Sequence, residues 1–226
     1  MKPFLKHSLL SVAALTVAAP VAAAELSANV GVASNYLWRG VTQSGDDAAI
    51  SGGLDVGFGP GFYAGTWTSS LGDNTSNYEL DLYGGFAAEA GPVSYDVGVI
   101  HYAYPVGDVE LDFTEVYGSL GFSLFTATLA YTVDTEADVA DDNDLYASLA
   151  ADVPIRDDLS VGVLVGNYDF DAPAAEDYTH YQVSLTKSTG EFGDFTFAVD
   201  QNDLEDTGAG EDDPRVWVSW SKGFDL

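Results

Sequence analysis

The stretch SNYLWRGVTQS, residues 34–44, sets Arg39 between Trp38 and Gly40 in a chain with only 7 basic residues against 36 acidic ones. A guanidinium in so acidic a chain asks which carboxylates share its side of the fold. The candidates are Asp55, Glu79, Asp81, Asp96 and Glu115, each set in a stretch where apolar and polar residues alternate. Two other chemistries are open to the residues present. His101 and His180 could serve a Ser–His–acid triad, whose members meet in space rather than in sequence. Neither histidine has a local signature, so no enzyme is expected. The acid-rich segments 134–144 and 205–214 carry many hard oxygen ligands but lack the spacing of a calcium loop. Divalent cations are therefore expected at most as loosely held surface partners. The chain has no cysteine, so it has neither a disulfide nor a thiolate metal site. No cofactor fingerprint appears.

Period-two alternation positions these residues. In 26–38 the even positions are Leu26, Ala28, Val30, Val32, Ser34, Tyr36 and Trp38, while Ser27, Asn29, Asn35 and Arg39 share the other face. In 78–88, Tyr78, Leu80, Leu82 and Phe86 oppose Glu79 and Asp81. This is strand periodicity, and no helical period competes with it. The pattern predicts strands over 26–40, 48–58, 61–69, 77–89, 93–104, 113–122, 125–134, 144–153, 159–170, 178–188, 195–202 and 215–225. Their length suits a tilted strand crossing a membrane. The orientation of 61–69 is open, because Phe62 and Tyr63 are adjacent and Trp67 competes with Thr66. The turn at Ser123-Leu124 has no Gly, Pro or Asn at its apex.

Connections alternate in length. Gly59-Pro60-Gly61, Ala90-Gly91-Pro92, Ser123-Leu124, 154–158 and 189–194 are short. Those near 41–47, 70–76, 105–112, 135–143, 171–177 and 203–214 are long. More than half of the acidic residues fall in the long set, and no Lys or Arg does. Outer-membrane barrels pair short periplasmic turns with longer outer loops in this way. The last strand carries Val216, Val218, Trp220, Phe224 and Leu226 on one face, interrupted by Lys222, which resembles the assembly signal of such barrels except that Leu226 stands where phenylalanine is usual. The expected fold is an all-β, closed antiparallel transmembrane barrel of about 12 strands. A secreted sandwich would show the same period but not the alternating loops.

Residues 1–24 read as a secretory leader, with Lys2 and Lys6 ahead of an apolar run and Ala22-Ala23-Ala24 at its end. The barrel is then 25–226, exported to the bacterial outer membrane. The formal net charge is −29, and loss of Lys2 and Lys6 makes it two units more negative. Such a chain has no means of holding nucleic acid phosphates.

Sidedness then assigns the charges. Arg39, Glu79, Asp81 and Glu115 are expected inside near the outer mouth, with Arg39 facing the wall that carries the three carboxylates. Asp55 and Asp96 are expected inside nearer the periplasm. Tyr36 and Trp38 are expected outside, in the aromatic girdle at the lipid interface. Carboxylates lining a lumen favour cations, so the expectation is a porin-like channel for small cationic or neutral solutes. The alternative is a sealed structural or adhesin-like barrel. Expected partners are outer-membrane lipid and lipopolysaccharide, with divalent cations at the outer loops.

The blocks SNYLWRGVTQS (34–44), GFYAGTWTSS (61–70), YELDLYGGF (78–86), YDVGVIHYAYP (95–105) and FTEVYGSL (113–120) together resemble the TorF-type porin family of bacteria. The resemblance covers the first half of the exported chain. It implies an outer-membrane barrel behind a signal peptide and brings no catalytic residues with it.

Overall fold

The computed structural model describes residues 25–72, 77–105, 111–136, 143–173, 175–206 and 210–226. The expected leader lies outside them, as do the loop acids Asp73, Asp108, Glu110, Asp138, Asp141 and Asp142.

The wall is built from β1 (Glu25–Ala33), β4 (Ala49–Phe58), β5 (Phe62–Ser70), β6 (Tyr78–Ala90), β7 (Val93–Ala103) and β8 (Phe113–Phe122). It continues through β9 (Phe125–Thr135), β10 (Leu145–Arg156), β11 (Leu159–Asp169), β12 (Tyr178–Ser188), β13 (Asp194–Asn202) and β14 (Arg215–Asp225). Each strand pairs antiparallel with its neighbour in sequence, and β14 pairs with β1, so these 12 strands close into a barrel. The seam is in register from Ser27 opposite Asp225 to Ala33 opposite Ser219. Closure leaves no strand edge unpaired, which lipid would not tolerate.

The barrel is apolar outside and polar inside. Leu54, Leu82, Val97, Leu120, Leu149, Val163, Val183 and Val218 are exposed on its outer face, whereas Asp55, Glu79, Asp81, Glu115, His180, Asp200 and Asn202 are buried. Alternation fixes this, because a strand sends successive side chains to opposite faces. The 61–69 ambiguity is resolved: Tyr63 points inward at 3% exposure and Phe62 outward at 49%. The apex at Ser123 is a true turn, with Phe122 paired to Phe125 and Ser123 at φ 58. A serine there takes a conformation that usually falls to glycine, at a cost of about 1–2 kcal/mol.

The first expected strand is broken. It stops at Ala33, and 34–48 leave the wall as a small hairpin, β2 (Leu37–Trp38) and β3 (Val41–Thr42), with Leu37 opposite Thr42 and Trp38 opposite Val41. Arg39 (φ 50) and Gly40 (φ 81) form its two-residue turn. Positive φ at both positions is the signature of the turn that matches the twist of a tight hairpin.

Candidate functional site

The β2–β3 hairpin folds inward across the loop end of the barrel. Its tip places Arg39 against Glu115 of β8. Nη1 donates to Oε1 at 2.8 Å and Nη2 to Oε2 at 2.7 Å. The guanidinium also lies 4.2 Å from the Trp38 ring centre, 4.1 Å from Tyr146 and 4.7 Å from Tyr168. A planar cation between ring faces and a bidentate carboxylate is desolvated without being left unpaired. Glu115 is 1% exposed and accepts a third bond from Tyr102 Oη at 3.2 Å.

Other contacts pin the hairpin to nearly every wall. Tyr36 Oη donates to Glu79 Oε1 on β6 at 2.6 Å, and Tyr104 Oη donates to Glu79 Oε2 at 2.8 Å. Trp38 meets Tyr102, Phe113 and Tyr168 edge-on. Leu37 packs with Ala198 of β13 and Trp217 of β14. Asn202 Nδ2 donates to the Gly40 carbonyl at 3.0 Å. At the hairpin's base Asp46 accepts from Asn35 at 2.7 Å and from Arg215 at 3.1 Å. Gly40 is required twice over: its φ is 81°, and a Cβ there would sit 2.5 Å from that of His180.

Two expectations are corrected by this geometry. Arg39 is not on a strand face but at a hairpin tip, and of the three carboxylates it was expected to face it bonds Glu115. Tyr36 and Trp38 do not face lipid; Tyr36 is buried inside at 5% exposure. The physical reason is that an infolded hairpin buries the same alternating aromatics that a lipid-facing strand would display.

The remaining carboxylates lie deeper. Asp55 on β4 accepts from Tyr83 Oη and from Asn29 Nδ2 at 3.5 Å. Asp96 on β7 accepts from Tyr63 Oη at 2.6 Å, and Tyr63 also meets Tyr117. Asp81 is 6% exposed and sits between Trp67 and Tyr102 in register. Glycines make room for these tyrosines. Gly65 pairs with Tyr83, and a Cβ on it would fall 2.5 Å from that ring.

Several residues of this interior were not singled out in sequence. Asp200 on β13 is 2% exposed, held by Trp217 Nε1 at 2.6 Å and Gln182 Nε2 at 3.1 Å. Tyr146 and Tyr168 flank the Arg39 guanidinium and Tyr102 donates to its Glu115 partner; their inward parity was readable, but their convergence on one ion pair was not. His180 is buried inside with Nε2 3.0 Å from Tyr146 Oη. His101 is on the outer face, with Nδ1 3.0 Å from Thr114 Oγ1 and Nε2 3.9 Å from Asp112. Among the described residues no three His, Asp or Glu side chains converge as they would around a metal ion.

Nearer the turn end the inward face changes. Ser119 and Thr128 pair at 2.8 Å, and Thr126, Ser148, Ala150, Ser160, Gly162 and Ser184 share this face while remaining partly exposed.

The barrel is similar to solved structures of outer-membrane porins. One, a KdgM porin in complex with disordered oligogalacturonate, shows 8% identity and a TM-score of 0.56 over 89% of this chain and 99% of that one. A NanC porin shows 14% identity and a TM-score of 0.53 over 88% and 97%. A membrane protein from a study of in-meso crystallization shows 11% identity and a TM-score of 0.58 over 89% and 84%. At these identities the likeness is one of fold. No curated protein sequence matches. The TorF-type label suggested by the sequence blocks finds no support in these comparisons. A bacterial family model does match, over residues 17–210. The chain therefore belongs to the bacterial protein family of unknown function Gcw_chp.

Proposed function

We propose that this protein is an outer-membrane channel for small cationic or neutral solutes, narrowed near its outer mouth by the β2–β3 hairpin. The observation that carries this reading is the inverted sidedness of a closed barrel. Its outer surface is apolar, while its interior holds Asp55, Glu79, Asp81, Glu115 and Asp200 against Arg39. A low-dielectric wall focuses such charge on the lumen and draws cations into it. Delivery would use residues 1–24 as a leader, and lipid would cover the apolar face. The acidic outer loops would gather counterions, divalent ones included. Neither histidine joins a set that suits hydrolysis, so no enzymatic role is assigned. The oligogalacturonate in the KdgM porin structure is a polyanion. This acidic interior does not suit such a ligand.

A second reading has its own support. The hairpin reaches from Glu79 to Asn202 across the lumen, which favours a sealed barrel with a structural role. Conductance of the purified barrel in planar bilayers separates the two. Small, cation-selective steps are expected. Silence, or a preference for chloride, overturns the channel.

A further inference from the structure

Among the described residues, five interior carboxylates are matched to side-chain donors. Glu115 has Arg39 and Tyr102, Glu79 has Tyr36 and Tyr104, Asp55 has Tyr83 and Asn29, Asp96 has Tyr63, and Asp200 has Trp217 and Gln182. Asp81 is as deeply buried as the others, at 6% exposure. Its Oδ1 has no hydrogen-bond partner among the described residues. A buried carboxylate oxygen left alone costs free energy unless something mobile meets it.

The surroundings indicate what meets it. Asp81 is inward on β6, two residues from Glu79, with Trp67 of β5 and Tyr102 of β7 beside it in register. The Tyr36 and Trp67 rings meet edge-on at 5.5 Å. The Arg39 cage shows what a cation finds in this lumen: one carboxylate and several aromatic faces. The Asp81 site has the same kinds of neighbour, a carboxylate beside aromatic residues in register, and among the described residues no Lys or Arg pairs with it.

We propose that Asp81 is a binding step for a partly dehydrated monovalent cation on its way through the lumen, with the neighbouring aromatic rings replacing part of its water shell. This rests on the reading of the barrel as a cation channel. A divalent ion fits poorly, since it needs several hard oxygen ligands. Both oxygens of Glu79, the nearest inward carboxylate on the strand, are already taken by phenols.

Two measurements test it. In crystals of the full barrel grown with rubidium, anomalous density is expected in contact with the Asp81 carboxylate. It should vanish in Asp81→Asn and persist in Asp81→Glu. Density only at the outer-loop acids, or none, overturns the site. In bilayers, Asp81→Asn should lower the cation-over-anion permeability ratio about threefold, with Asp81→Glu restoring it. An unchanged ratio overturns the site and leaves the channel standing. A silent barrel that still binds rubidium at Asp81 keeps the site and removes the channel. If Asp81→Asn fails to fold, loss of the density in Asp81→Glu counts equally against the proposal.

Discussion

The two halves of the lumen are built on opposite principles. At the loop end, large side chains interlock: a hairpin crosses the bore, Arg39 is clasped by Glu115 and three rings, and tyrosines donate hydrogen bonds to buried carboxylates. At the turn end of β8–β12 the inward positions are mostly Ser, Thr, Gly and Ala, whereas Tyr63, Asp55 and Asp96 occupy the turn end of β4, β5 and β7. The same strands supply both halves and alternate identically. The difference lies in what the inward residues are: bulky side chains interlock around the hairpin, and small ones line the turn end of β8–β12.

The comparison breaks most severely at the hairpin tip. Arg39→Ala leaves Glu115 as a buried charge without its partner, which costs about 3–5 kcal/mol. The loop end should loosen, with single-channel conductance rising and the urea midpoint falling. If neither moves, the two halves do not differ in rigidity. A smaller effect sharpens the boundary. The chain has no cysteine, so single thiols can be placed at will. Ser148→Cys should react with a water-soluble maleimide from within the lumen, while Ala130→Cys, at a site 5% exposed, should not. Equal labelling would erase the division. The smallest effect lies at the turn rim, where Asp158 meets Lys187 and Arg156. The hydrogen bond from Lys187, ahead of the attraction of both cations, holds the Asp158 carboxyl below its usual range. A lowered folded value means the stabilisation is complete above the unfolded pKa of about 3.9 and lost as pH falls through the folded one. Melting curves of wild type and Asp158→Asn should differ slightly above pH 5 and converge near pH 2. A difference that grows on acidification would reverse the sign.

Sequence made the wall legible and the hairpin not. Eleven of the wall strands lie within a few residues of where alternation puts them, because lipid outside and water inside leave a residue-by-residue record. The 34–48 segment fails for the same reason. Its even positions Tyr36 and Trp38 continue the apolar series of β1, and period two cannot say whether the greasy face meets lipid or other aromatic rings. The signal that was present is Arg39-Gly40, a turn pair with glycine at its second position. Arginine is an unusual first residue for such a turn, so that signal is weak. The pairing of Arg39 with Glu115 also escaped the strand map, since it depends on how far a hairpin reaches. For Asp55 and Asp96, facing direction was readable, whereas their tyrosine partners required the register.

The seam sets an order of events for making this molecule. The hairpin follows directly on the first strand, yet its tip is held by a residue 162 positions later, and its Leu37 packs on the final strand. Those docking surfaces come into being only when the chain's two ends have met. The piece of sequence synthesised almost first thus completes its contacts only when the last strands are in place, and a chain cut short of its final strand would leave its own stopper partly unseated.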